Sequence, residues 1–557
     1  MGEPIETPPS MIDQPAAIYR HRDQPSAALA RLFTAWRFRL LLALVCVGAG
    51  FLSVMLGPDN YWDLRYYHLY APWVYLHGRY LYDIGPAQEQ GFLNPTADFL
   101  LYGLVSSPLN DFPRVVAFTM GAVHGINAAL LLAITCRVIR PPDAVERPTL
   151  RAAAWLMGVS GAGFVGLLGT STNDLTSALF VLGSLLSLLK VAEGASGRAA
   201  WPGFAAAGLW AGLGLGLKYT VAFVVPGLGV VALFAALRKR TPTGLIVFGL
   251  AGVSGFLVFA GHHLLTLWNA FGNPFFPYLN QIFRSPYFEP TAIWDPRFIP
   301  DSFWKLMTFP FYWAKTNTYL VSEPTFRDWR AAIAYVAMVI GVLALVAGWL
   351  RQARRPQDVL AQTPGLGLVF TFVVVSYFSW ALEFGYYRYA IPLEMLTGIV
   401  AIGALIWLFD DRRLRIGGAV AVLAIALTTT VYLDWGRRPY TDKYVEVHVP
   451  ALPPRSIVLI ATWDPAAYFI PYAEPSAQYL GIENNYLELS QTNKLASEVK
   501  RLMRVPGRPK FVVSVGEFDA DKLNKLLSNF NLRLSASPCV PIHSNLEDQA
   551  LSLCPAQ

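Results

Sequence analysis

Gly57-Pro58-Asp59-Asn60-Tyr61-Trp62-Asp63-Leu64-Arg65-Tyr66-Tyr67-His68-Leu69-Tyr70 gathers acids, cations and aromatic rings directly after an apolar run at 39–57. The chain around it is 54% hydrophobic and only 15% charged, where an average soluble domain has about 25% charged residues. A charged cluster bordering a long apolar run in such a chain reads as the first outer loop of a polytopic helical membrane protein. Runs long enough to cross a hydrocarbon core of about 30 Å recur along the sequence. Working outward from the cluster gives eleven spans, near 39–57, 114–136, 151–168, 174–192, 201–217, 219–237, 243–263, 331–350, 366–382, 389–408 and 415–434.

The short loops set the orientation. Arg31, Arg37 and Arg39 precede the first span, and Arg137, Arg140, Arg147 and Arg151 follow the second. Arg238-Lys239-Arg240, Arg351 with Arg354 and Arg355, and Arg412 with Arg413 and Arg415 follow spans six, eight and ten. All fall on one side when the N-terminus is cytoplasmic, as the positive-inside rule requires. The net charge of +7 is therefore a topology signal and not a nucleic-acid signature. Residues 1–38 read as a cytoplasmic disordered tail, rich in Pro, Ala and Gln without hydrophobic periodicity at 1–30. About 38 polar residues precede the first span and no small-residue cleavage site follows it, so it does not read as a removable signal peptide.

The segments 58–113, 264–330 and 435–557 then face outward, which in a bacterium is the periplasm. The last of them reads as a small α/β domain. Ser456–Ala461 and Lys510–Val515 are buried-strand patterns, and Thr492–Met503 and Ala520–Asn529 are helical, an alternation that predicts a parallel sheet. Cys539 and Cys554 lie in this region, where an oxidising compartment favours a disulfide. The apolar stretches Leu532–Ala536 and Ala550–Leu553 are expected to pair as its last strands. Cys46 and Cys136 lie within apolar spans and read as packing residues.

The candidate chemistry lies at outer helix ends. Helical spacing puts Asp63, Tyr66, Tyr67 and Tyr70 on one face, with Arg65 and His68 flanking it. Tyr61, Trp62 and Trp73 fit an aromatic belt. Asp63 fits a general base beside a membrane cavity, and an interfacial charge is the bland reading. Gly169-Thr170-Ser171-Thr172-Asn173-Asp174 is a tight turn between spans three and four. Asp174 there is either a helix cap or a second acid of the same cavity. Lys218, after Gly212-Leu213-Gly214-Leu215-Gly216-Leu217, and Arg388, in Tyr386-Tyr387-Arg388-Tyr389-Ala390-Ile391-Pro392, sit at outer turns. Cations there run against the orientation bias and suit a lipid phosphate, with snorkelling as the alternative. His262 and His263 are adjacent on one helix and do not make a metal site. No Walker, GxGxxG or HExxH motif is present.

These pieces together resemble the GT-C superfamily of polytopic glycosyltransferases, which contains the protein O-mannosyltransferases and the lipid A aminoarabinose transferase. The resemblance covers roughly 39–434 and rests on the ordered set: the acid and Tyr-Tyr of the first outer loop, the acid-bearing turn at 169–174, the Gly-Leu repeat ending in Lys218, and Arg388-Tyr389-Ala390-Ile391-Pro392-Leu393. It implies sugar transfer from a polyprenyl-phosphate donor at the outer face of the inner membrane. Asp63 matches the family's general base, with Asp59 as the second choice, and Asp174 matches the acid of the later turn. Lys218, Arg388 or Arg284 would hold the lipid phosphate, together with Arg65, His68 and Tyr67. Leu64 stands where the family has a second acid, and Asn94-Pro95 where it often has a Lys before prolines. No cofactor is assigned, and a divalent metal at the acidic site stays open. The acceptor, whether glycan, lipid or protein, is not encoded in any recognisable motif. A transporter or lipid flippase without covalent chemistry is the competing reading, and an inactive scaffold that kept the fold is a third.

Overall fold

The computed structural model of the chain describes residues 24–316, 320–350, 364–488, 490–546 and 549–557. Most of the expected tail, and Arg351, Arg354 and Arg355 of the orientation argument, lie outside the described residues. The first helix runs Gln24–Leu56, starting well before the expected boundary. Ser26 to Ala35 contains strong helix formers and no breaker, so the helix continues ahead of its apolar part.

Eight of the described helices are long and apolar enough to cross a membrane. Of the other three expected spans, 331–350 appears as Arg330–Leu350 and 415–434 as the Arg-rich helix Arg412–Thr429. The expected span 151–168 is broken into Arg147–Val159 and Ala162–Leu167. The break has a steric cause at Gly161. A Cβ there would lie 1.8 Å from Glu394 Oε1, so the chain passes against the helix Ile391–Leu408 at a distance only glycine allows. The helices Asp174–Glu193 and Ile391–Leu408 form the centre of the bundle, and the parts of Gln24–Leu56 and Thr243–Phe271 that could cross the bilayer face outward.

The Gly-Leu repeat is a packing face. Gly208, Gly212 and Gly216 recur every fourth residue on Trp201–Leu217. Cβ atoms on them would approach the Phe248, Gly252 and Phe256 carbonyls of Thr243–Phe271 within 2.0, 1.9 and 2.6 Å. This small-residue stripe lets two helix backbones touch, as membrane helices commonly do. It also fixes the outer end of Trp201–Leu217, from which Lys218 projects.

The C-terminal sheet has strands β1 (Val447–His448), β2 (Ile457–Ala461), β3 (Gln478–Glu483), β4 (Lys510–Val515), β5 (Val540–Ser544) and β6 (Leu551–Ala556). Their order is β1-β5-β6-β4-β2-β3. The expected parallel sheet is mixed: β3, β2 and β4 are parallel, whereas β4–β6, β6–β5 and β5–β1 are antiparallel. Helical segments separate β2 from β3, β3 from β4 and β4 from β5, but after the last of them the chain returns to β4 as the antiparallel hairpin β5–β6. The strand opposite β6 is Val540–Ser544, not 532–536, of which Leu534 makes a single bridge to Ala556. Cys539 and Cys554 are joined as a disulfide across this hairpin.

The outer loop covers the open edge of β3. Ile84 N–H donates to Tyr479 O at 3.0 Å, and Gly481 N–H donates back to Ile84 O at 2.7 Å. Asp83, held by Arg79 at 2.7 Å, accepts the Tyr479 N–H at 3.0 Å. An edge that would otherwise invite pairing is thereby closed by the loop between the first two spans.

Candidate functional site

Four charged side chains from four outer helix ends interlock. Arg388 Nη1 lies 2.8 Å from Asp63 Oδ2, and Arg388 Nε lies 3.4 Å from Asp174 Oδ2. Lys218 Nζ donates to Asp174 Oδ1 at 2.6 Å. Asp63 opens the turn Leu64–His68, a stretch of π-helix, a geometry often found at functional sites. Asp174 begins the helix Asp174–Glu193, where the helix dipole favours a carboxylate. Arg388 precedes the helix Ile391–Leu408 and is ringed by Tyr386, Tyr61, Trp435 and Tyr389, its guanidinium carbon 5.1–5.7 Å from their centroids. Lys218 lies 5.2 Å from the Tyr389 centroid, and burial, with Arg388 adding, lowers its ammonium below the ordinary value against the opposing pull of Asp174. Aromatic faces attract both cations.

Asp59 has a different position from its neighbour Asp63. It is fully buried, and its two oxygens accept from Ser171 N–H at 3.0 Å and Ser171 Oγ–H at 2.6 Å. It ties the first outer loop to the 169–174 turn. Arg437 reinforces the tie, donating to the carbonyls of Gly57, Gly166 and Leu168 at 2.7–2.9 Å. The Asn94 amide donates to Gly216 O at 2.6 Å and Phe259 O at 2.9 Å, so the residue standing where the family often has Lys anchors the helix end that carries Lys218. Arg65, Tyr67 and His68 are buried on the same turn as Asp63. Burial holds the Tyr67 phenol well above its ordinary value, with Asp63 and Asp98 adding to the effect and Arg388 opposing it. Arg284 is not brought to this cluster: it is exposed in the 264–330 loop, with no ion pair among the described residues.

Several members escaped the sequence reading. Glu323, from the 264–330 segment, accepts hydrogen bonds from Tyr61 and Tyr386 of the Arg388 cage. Trp435 packs edge-on against Tyr61, with centroids 4.6 Å apart. Asp98 accepts from Asn173 Nδ2 at 2.8 Å. Arg437 had a sequence signal: Arg437-Arg438 follows the last span on the side expected to be the outer one, against the positive-inside bias. A divalent metal does not fit the donor set, since each site acid engages a cation and no three His, Cys, Asp or Glu residues cluster among the described residues. His262 and His263 instead bond Thr96, Tyr75 and Tyr80, fastening their helix to the outer loop.

Residues 122–260, which include Asp174 and Lys218, match the family model of dolichyl-phosphate-mannose-protein mannosyltransferase. The chain resembles the GT-C membrane glycosyltransferases. Two solved structures are also similar. Against ArnT from Cupriavidus metallidurans bound to undecaprenyl phosphate the TM-score is 0.48 at 12% identity, covering 93% of this chain and 98% of that one. Against the Archaeoglobus fulgidus oligosaccharyltransferase in complex with Zn and sulfate it is 0.43 at 14% identity, covering 87% and 69%. No curated protein matches the sequence significantly. The GT-C-like segment thus supplies two of the four interlocked charges, and the other two come from the first outer loop and the turn before Ile391.

Proposed function

We propose that the protein is a glycosyltransferase that moves a sugar from a polyprenyl-phosphate donor to an acceptor hydroxyl at the periplasmic face of the inner membrane. The supporting observation is the interlocked set of Asp63, Arg388, Asp174 and Lys218 at outer helix ends. The matched family is described by a donor of this class, dolichyl-phosphate-mannose. Without a ligand, Arg388 neutralises Asp63. A lipid phosphate entering from the bilayer competes for Arg388 and Lys218 and releases the Asp63 carboxylate. Asp63 then takes the proton of the acceptor hydroxyl as that oxygen attacks the anomeric carbon. The bond from that carbon to the phosphate oxygen breaks, and the two cations stabilise the departing lipid phosphate.

Asp63→Asn in the full-length protein is expected to keep its melting temperature in detergent and lose transfer by about 10²–10⁴-fold, the usual share of a general base. Near-normal turnover would remove Asp63 from that role. Sugar recovered across the bilayer but still on its lipid would mark transport instead. The outer placement predicts that an impermeant thiol reagent labels Cys539 and Cys554 on intact cells only after reduction. Labelling that requires a broken inner membrane would reverse the topology.

A further inference from the structure

One buried polar atom beside the charged cluster has no role in the scheme above. His68 is 1% exposed, and its Nδ1 lies 2.6 Å from Asp98 Oδ1. Asp98 accepts from Nδ1–H, and in the neutral ring this leaves the lone pair on Nε2, the arrangement by which a second group sets a histidine tautomer. That Nε2 is buried and has no hydrogen-bond partner among the described residues. A buried acceptor left without a donor is costly, and such an exception calls for a specific explanation.

The surroundings point to a ligand. Asp63 and His68 stand at either end of the π-turn, five residues apart and therefore on one side of it. Asp98 also binds Asn173, the residue before Asp174. The π-turn that follows Asp63 and the Asn173 bond beside Asp174 thus join the Asp98–His68 pair to the charged cluster. A bare imidazole lone pair repels phosphate oxygens, which carry no proton, and accepts from a hydroxyl. The Asp63 side chain is 15% exposed and His68 is 1% exposed; in the proposed scheme the acceptor hydroxyl meets Asp63, which leaves the donor's sugar to His68.

We infer that His68 Nε2, held by Asp98, accepts a hydrogen bond from a hydroxyl of the donor's sugar and so discriminates the sugar-carrying lipid from the bare lipid phosphate. The inference rests on the donor class proposed above. Its test is binding of undecaprenyl phosphate, alone and carrying glucose, galactose, mannose or N-acetylglucosamine, to the full-length protein in detergent. His68→Phe and His68→Met remove the acceptor, and His68→Gln keeps one.

The Phe and Met variants are expected to bind the bare lipid within about twofold of wild type and lose about tenfold for the preferred sugar lipid, with Gln losing about threefold, as for one neutral hydrogen bond. Binding of the bare lipid is the internal check that each variant is folded. An unchanged ratio of sugar-lipid to bare-lipid affinity in the Phe or Met variant overturns the inference, as does a wild type that binds every lipid alike. A wild type that binds no polyprenyl phosphate overturns the proposed function, and this inference with it.

Discussion

Two clusters of mixed charge lie against the helix Ile391–Leu408, and they are built for opposite ends. Asp328, Arg330 and Glu394 are fully buried. Their carboxylates hold backbone as well as the cation: Asp328 Oδ2 accepts Ala162 N–H at 3.0 Å, and Glu394 Oε1 accepts Gly163 N–H at 3.1 Å. Arg330 Nη1 sits 3.1 Å from Asp328 and 3.6 Å from Glu394. This cluster caps the second half of the broken span, where the free N–H groups at a helix start need acceptors. In the outer cluster Asp63 and Lys218 are 15% and 17% exposed, and Asp63 engages the Arg388 side chain. Carboxylates committed to backbone cannot exchange partners without unfolding a helix end, whereas those committed to a cation can release it to a phosphate.

The contrast is breakable by substitution. Arg330→Met leaves two buried acids without their cation and is expected to destabilise the protein by about 3–5 kcal/mol, read as a fall in melting temperature. A loss under about 1 kcal/mol would mean that this cluster is not structural. Arg388→Lys keeps charge but not the planar fork, so transfer should fall by about 10²-fold with stability nearly unchanged. If Arg388→Lys destabilised as much as Arg330→Met, the two clusters would be of one kind.

Glu89 gives the smallest and most selective test. It lies in the first outer loop, and burial, reinforced by Asp295, raises it to about 7. An unfolded glutamate titrates near about 4.3. Between these values the folded protein holds a proton that the unfolded chain has lost. Stability therefore falls as pH rises through that window, and the deficit is complete above it. Glu89→Gln should gain about 1–3 kcal/mol at pH 8 and nothing at pH 4. A gain that grew toward acid would contradict the assigned cause.

Much of the site was legible in the chain because buried or outward-facing charge is expensive in an apolar sequence. Asp63, Asp174, Lys218 and Arg388 stood out on that ground, and the structure brings all four together. Asp59 stood as the second choice to Asp63, since both follow the same span in the same loop. The bonds from Ser171 N–H and Oγ–H mark Asp59 as a tie between loops, whereas Asp63 pairs with Arg388. Arg284 looked equivalent to Arg388, and nothing local to either residue shows which one the fold turns inward.

The sequence by itself determined the membrane class, most of the helical spans and the β2 and β4 strands. Each follows from the composition of a segment or from a short-range period. Only the tertiary structure decided the break at Ser160–Gly161, which depends on Glu394 more than two hundred residues later. It also decided the sharing of Asp98 between His68 and Asn173, and the clasp of Arg437 on Gly57, Gly166 and Leu168. These are contacts between distant segments, and nothing in the local pattern of either segment names its partner. Their partners are fixed only when the helices pack.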